Sequence, residues 1–234
     1  MKYSDVRFFL SAPRIDRFLS ATGSKTKAIR LYKSNLRVSQ SLHPLISITE
    51  VVLRNKLNTI LSAHFSDPDW IIHQKSGFMI DPSLRYRHKR TGQIKTNHYL
   101  KKEIEKAERR LRKQQVIITS GKVIAEQTLG FWTNLFEVHH YRLLSGTPIQ
   151  IFNTLPSGYG RKEILEDLNS IRQFRNRINH NEPICFVGNS VDFTKTEEVY
   201  NSIKEILKWI DPKLENWIKD MDRVEQKIIN AKKI

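Results

Sequence analysis

The chain has 234 residues, 39% of them hydrophobic and 9% aromatic, with only 9 Gly and 8 Pro; such a chain buries a core, and collagen-like, low-complexity and disordered classes are excluded. A single cysteine, Cys185, excludes an intramolecular disulfide framework and a cysteine-rich zinc site, and points to a reducing compartment. Lys and Arg number 40 against 24 Asp and Glu, a net charge of +16, and residues 1–113 hold +15 of it with 24 basic and 9 acidic side chains.

A one-sided positive field marks a polyanionic partner, nucleic acid before membrane. The N-terminal apolar run Val6–Leu10 is broken by Arg7 and followed by Arg14, too short for a signal core. The longest uncharged stretch, 143–160, carries Gly146, Pro148, Pro156, Gly158 and Gly160, so it reads as a loop and not a span. The expected setting is cytoplasmic, with no membrane partner.

Helical periodicity dominates the chain. Pro13 sits where a first helical turn wants it, and Ile15, Phe18 and Leu19 share the face that follows. Ala28, Leu31, Tyr32 and Leu36 mark a second helix over about 25–36. A third is expected from about Pro44, with Leu45, Ile48, Val52, Leu57, Ile60 and Leu61 on its buried side. Asp67-Pro68-Asp69 ends that block as a turn.

Residues 74–98 are the least regular and read as a basic insertion, with Gly77, Pro82, Gly92 and the cluster Arg85-Tyr86-Arg87-His88-Lys89-Arg90. A polar helix follows over about 97–115, and Val116–Thr119 has the make-up of a short strand. Phe131, Leu135, Val138 and Leu143 fit one amphipathic helix. Another runs over about 161–181 and stops before Pro183. Thr194-x-x-Glu197 has the form of a capping box opening a helix to Ile210. Asp211-Pro212 opens a last helix to about Asn230. The fold expected is all-α, one domain over 1–234 of roughly seven or eight helices in a bundle, with the C-terminal helices at about 194–230.

The sharpest local feature is Arg175-Asn176-Arg177-Ile178-Asn179-His180. Arg-x4-His alone is commonplace in a chain with 18 Arg and 8 His; Asn directly after the Arg makes it uncommon. On a helix, Asn176 and His180 stand one turn apart, as do Arg175 and Asn179. Imidazole carries protons near neutral pH. Guanidinium pairs with phosphate oxygens through a planar fork. Asn can orient either partner. Attack of an RNA 2′-OH on its own phosphate needs a proton acceptor, a proton donor and charge stabilisation, without a metal. One His serves one end of that displacement; two copies across a two-fold axis would serve both. The other reading of the same residues is a helix C-terminal cap, with His180 on backbone carbonyls and Arg175 in a surface ion pair.

Arg-Asn-x-x-x-His resembles the signature of HEPN ribonucleases. The run 171–184 resembles the C-terminal block of the bacterial Abi-like family (abortive infection, AbiD/AbiF type). Ser11-Ala12-Pro13-Arg14 with Phe18-Leu19 resembles that family's opening, and Leu31-Tyr32-x-x-Asn35-Leu36 its second block. Glu50-Val51-Val52-Leu53-Arg54-Asn55 is similar to its E-x-x-LRN block, and Leu129-Gly130-Phe131-Trp132 with Leu135-Phe136 to its GFW block. The ordered blocks cover about 11–184. The family often has a small residue where Asn179 stands; Asn is polar and fits the site.

The resemblance implies a HEPN-like helical fold, a homodimer, RNA as target and phage defence by a growth-arresting toxin. It carries over Arg175, Asn176 and His180 as catalytic. Glu50, Arg54, Asn55 and Asn179 are expected to shape the cleft. Glu50 and Arg54 also fit a plain i,i+4 helix pair. Arg172 and Arg177 are expected to hold RNA. Arg85, Arg87, Lys89 and Arg90 would do so with Tyr86 stacking on a base, or would form a solvated loop. No cofactor and no metal ligand set is expected; His139-His140 has no partner at ligand spacing. No phosphate-cradling glycine loop occurs, which argues against an ATPase. A toxin of this kind needs an antitoxin, protein or structured RNA. A non-catalytic RNA-binding module is the alternative function.

Overall fold

The computed structural model describes residues 1–88 and 90–234. Lys89, one of the cations expected to grip RNA, lies outside the described residues. Helix dominates, as expected of an all-α chain. Two compact units share the sequence, Met1–Thr49 with Ser170–Ile234, and Glu50–Asn169. Among the described residues no helix is long and apolar enough to cross a membrane.

The first unit opens with α1 (Tyr3–Phe9) and α2 (Ala12–Thr22). Pro13 stands in the first turn of α2, and Gly23 closes it in the left-handed region at φ +64°, its N–H donating to Leu19 O at 2.8 Å. Helix α3 spans Lys25–Phe65, its residues through Thr49 in this unit. Two helices were expected over this stretch; Pro44 instead sits inside one. An interior proline costs a helix about 3 kcal/mol. Against that cost stand Leu31, Val38, Leu42, Leu45, Leu53, Leu57 and Leu61, spaced at intervals of three, four, seven or eight residues that keep them on one side of the helix, and all buried. Each such side chain contributes about 1.5–3 kcal/mol.

The unit continues from Ser170 through the end of α9 (Arg161–Asn179), a hairpin of β3 (Phe186–Val187) and β4 (Ser190–Val191), then α10 (Thr194–Ile210), α11 (Pro212–Ile218) and α12 (Val224–Lys232). The hairpin was not expected. Its two-residue turn places Gly188 at φ +59°, the position where short hairpin turns favour glycine. The capping box expected at Thr194 is absent: Phe193 is the N-cap, and the Asp192 carboxylate accepts the Thr194 N–H at 2.6 Å. Glu197 pairs with Lys232 at 2.7 Å instead. Asp211 caps α11 through the Lys213 N–H at 2.9 Å, as expected. The last helix is two helices, because Asp222 accepts the Val224 N–H at 3.1 Å and starts α12 afresh.

The second unit holds α4 (Trp70–His73), β1 (Arg85–Arg87), β2 (Ile94–Thr96), α5 (Tyr99–Lys113), α6 (Ser120–Ala125), α7 (Leu129–Asn134) and α8 (Val138–Leu143). Trp70, Ile71, Met79, Ile104, Phe131, Trp132 and Phe136 fill its core. Part of the insertion at 74–98 is therefore regular. Val116–Thr119 forms no strand: Val116 N–H bonds Leu111 O, and the Thr119 hydroxyl caps α6 by accepting the Lys122 N–H at 3.4 Å. The single helix expected through Phe131 and Leu143 breaks between α7 and α8. There Glu137 turns extended (ψ 143°), and His140 Nδ1 donates to Asn134 O at 3.0 Å. Breaks of this kind, with the short α1, α4 and α6, bring the described helices to twelve where seven or eight were expected.

Candidate nucleic-acid site

The motif occupies the last turns of α9. Ile171 and Phe174 are buried and set the helix's rotation. His180 N–H donates to Asn176 O at 2.9 Å, so the helical turn extends to His180 although α9 ends at Asn179. Asn181 then takes the left-handed conformation at φ +54°. Its N–H bonds Ile178 O at 3.0 Å, and the Glu182 N–H bonds Arg177 O at 2.8 Å. This paired closure is a Schellman motif with Asn at the position glycine usually holds.

Three segments distant in sequence pin that closure. Arg14 of α2 donates to the Asn181 carbonyl. The Asn35 amide oxygen, buried on α3, accepts the Ile184 N–H at 2.8 Å. The Thr196 hydroxyl, buried on α10, donates to Ile184 O at 2.6 Å. Arg17 bonds Gly188 O at 2.9 Å and lies 4.5 Å from the Phe186 ring centroid. The opening, second and C-terminal blocks of the sequence thus meet in one unit.

The predicted residues divide by environment. Asn176, Asn179 and His180 are exposed; Arg172 and Arg175 are half-buried, and each has an interaction partner. Among the described residues the Asn176 amide and the His180 imidazole have no hydrogen-bond or ion-pair partner, so the cap expected of His180 on backbone carbonyls does not form. Arg177 is engaged: it donates to Pro183 O and faces the Glu182 carboxylate at 3.5 Å. Glu50, Arg54 and Asn55 lie on α3 in the second unit. There Arg54 is half-buried, Asn55 is exposed, and the Asn55 carbonyl accepts the Thr59 hydroxyl at 3.0 Å. Burial pushes the Cys185 thiol up to about 12, which fits a packing role and no nucleophilic one.

The second basic feature is the hairpin. β1 and β2 pair antiparallel, Arg85 against Thr96, Tyr86 against Lys95 and Arg87 against Ile94. Alternation puts Arg85 and Arg87 on one face and Tyr86 with Lys95 on the other. Arg85, Tyr86, Arg87 and Arg90 are exposed, and Arg87 Nε donates to Gly92 O at 3.1 Å.

Of the remaining sequence candidates, His140 is packed in the second unit's core, and burial holds its imidazole below the ordinary value. Trp209 is buried and Trp217 is 61% exposed. Among the described residues no three His, Cys, Asp or Glu side chains gather into a metal-binding group.

The sequence reading gave no anchoring role to Asn35 or Thr196 and no helix-stop role to Asn181. Asn35 was visible as a lone polar residue on an apolar helical stripe, a position that needs a bonding partner. Asn181, two residues before Pro183, was visible as a left-handed helix stop. No family model, curated protein or solved structure matches the chain.

Proposed function

We propose that the chain is a metal-independent endoribonuclease of the HEPN type, acting as an abortive-infection or toxin-type phage-defence protein. The observation that carries this reading is the end of α9: an exposed imidazole and an exposed amide one turn apart, both free of partners among the described residues, on a backbone tied to α2, α3 and α10. A general acid or base must be held in place yet open to its substrate.

In this mechanism the 2′-oxygen of RNA attacks its adjacent phosphorus. One His180 imidazole takes the 2′-OH proton. The bond to the 5′-oxygen breaks, and a protonated His180 from a second copy delivers a proton to that oxygen. Arg175 neutralises charge on the non-bridging oxygens, and Asn176 orients the phosphate or the imidazole. The products are a 2′,3′-cyclic phosphate and a 5′-hydroxyl. The active form is a homodimer, since each copy supplies one proton carrier. Arg172 and the basic hairpin grip the RNA strand, and an antitoxin, protein or structured RNA, restrains the enzyme.

The test is incubation of wild type and His180→Ala with total RNA in EDTA, with the new ends mapped. Wild type alone should leave cyclic-phosphate ends. Equal cutting by His180→Ala overturns the assignment. A second reading, a non-catalytic RNA-binding module, is favoured by the spread of charge. The first unit carries 21 basic against 12 acidic side chains (+9) and the second 19 against 12 (+7), so the excess is not focused on α9. That reading predicts salt-sensitive RNA binding and no new ends from either protein.

A further inference from the structure

The first unit carries a second cationic feature, separate in sequence from the motif. No acidic residue occurs between Asp16 and Glu50, while Arg17, Lys25, Lys27, Arg30, Lys33 and Arg37 fall in that interval. Helix α3 gathers the last three on one side. Arg30, Lys33, Ser34 and Arg37, with Asn230 of α12 and Ile234, line a hollow of about 310 Å³. A smaller adjoining hollow of about 110 Å³ is lined by Ser34, Arg37, Lys227 and Asn230. Among the described residues no acidic side chain lines either hollow, and the side chains of Arg30, Lys33, Arg37 and Lys227 make no ion pair or hydrogen bond.

Other cations of the protein are paired with carboxylates, as Arg7 is with Asp16 at 2.8 Å, Arg110 with Glu126 at 2.9 Å and Lys232 with Glu197 at 2.7 Å. Four unpaired cations around one groove repel each other, and an anion in the groove removes that cost. Arg30 to Arg37 covers about 10 Å of helix axis at 1.5 Å per residue. Phosphates follow each other at about 3.4 Å of axis along one duplex strand, so the row faces about three of them. Ser34 and Asn230 add neutral donors for phosphate oxygens. A membrane surface is flat and calls for a cationic face with apolar side chains to insert; this face is concave, and every lining residue but Ile234 is polar.

We propose that the groove between the first half of α3 and α12 is a docking site for a phosphodiester strand of nucleic acid. It uses none of the α9 motif residues, and it stands whether or not the protein cuts RNA. The strand lies along α3, with Arg30, Lys33 and Arg37 on successive phosphates and Lys227 closing the opposite wall.

The test uses a fluorescent 12-nucleotide 2′-O-methyl RNA, which has no free 2′-hydroxyl to attack, so binding is read apart from any cleavage. A deoxyribose strand of the same sequence and inorganic phosphate serve as competitors. The triple variant Arg30→Gln/Lys33→Gln/Arg37→Gln should bind the strand about tenfold or more weakly at low salt. The slope of log affinity against log salt should fall by about 2, at about 0.7 per phosphate contact on a single strand. A control removing Lys195, Lys208 and Lys213, three exposed cations of α10 and α11, should bind like wild type. Competition by deoxyribose strand but not by millimolar phosphate supports a strand site. Wild-type binding by the groove variant, an equal loss in the control, or full displacement by inorganic phosphate overturns it. Matching circular dichroism melts of the variants confirm that folding is not what changed.

Discussion

The end of α9 and the hairpin of residues 85–96 both present polar side chains to solvent, but they are built in opposite ways. The α9 terminus is closed by a Schellman turn and tied to α2, α3 and α10 by side chains of Arg14, Asn35 and Thr196, two of them buried. Among the described residues the hairpin's hydrogen bonds stay within 82–98, as in His88 N–H to Gln93 O at 2.8 Å and Asn97 N–H to Leu84 O at 2.9 Å. Proton transfer tolerates little positional error, whereas phosphate attraction acts over several ångströms. The pinned terminus suits chemistry and the self-contained ribbon suits grip.

The largest effect expected from breaking this contrast is at His180. His180→Gln should lower the single-turnover cleavage rate by about 10²–10⁴, the usual worth of a general acid or base, with RNA affinity within a few-fold of wild type. Next comes the support. Asn35→Ala leaves the Ile184 N–H without its acceptor in a buried setting, which costs about 1–3 kcal/mol, read as a lower urea midpoint. It should also slow cleavage, since the motif's anchor loosens.

The hairpin variant Arg85→Gln/Arg87→Gln should leave the urea midpoint unchanged. Its RNA affinity should fall several-fold, and the salt slope by about 1 to 2. The smallest effect is at the helix stop. Asn181→Ala places a Cβ-bearing residue without a helpful side chain at φ +54° and should cost about 1 kcal/mol, whereas Asn181→Gly should hold or raise stability. Equal midpoints for the two variants would contradict the left-handed assignment.

The second unit adds a pH prediction. Burial holds His140 below its ordinary value, so the unfolded chain takes up its proton first as pH falls. Stability is therefore full above about pH 6.5 and declines as pH drops through that value toward the lower folded value. His140→Gln should flatten that decline in a series of melts from pH 7.5 to 5.

Much of this was legible in the sequence. The start of α2 at Pro13, the cap at Asp211 and the one-turn spacing of Asn176 and His180 follow from local rules that tertiary structure did not override. The joins were not legible. Pro44 reads as a helix start because proline penalises interiors, and only the buried leucine stripe on both sides of it outweighs that penalty. Thr194 and Glu197 form a capping box by pattern, yet Asp192 reaches the helix first and Lys232, 35 residues on, takes the glutamate. The anchors of the motif were hidden for the same reason: Asn35 and Ile184 are 149 residues apart, and no local pattern pairs them.

One measurement tests the central claim most directly: cleavage rate at saturating RNA and RNA affinity, side by side, for His180→Ala and for Arg85→Gln/Arg87→Gln. The account predicts that the first keeps its affinity and loses its cleavage, while the second loses affinity and keeps a near wild-type rate once saturated. Cleavage by His180→Ala at the wild-type rate would contradict it.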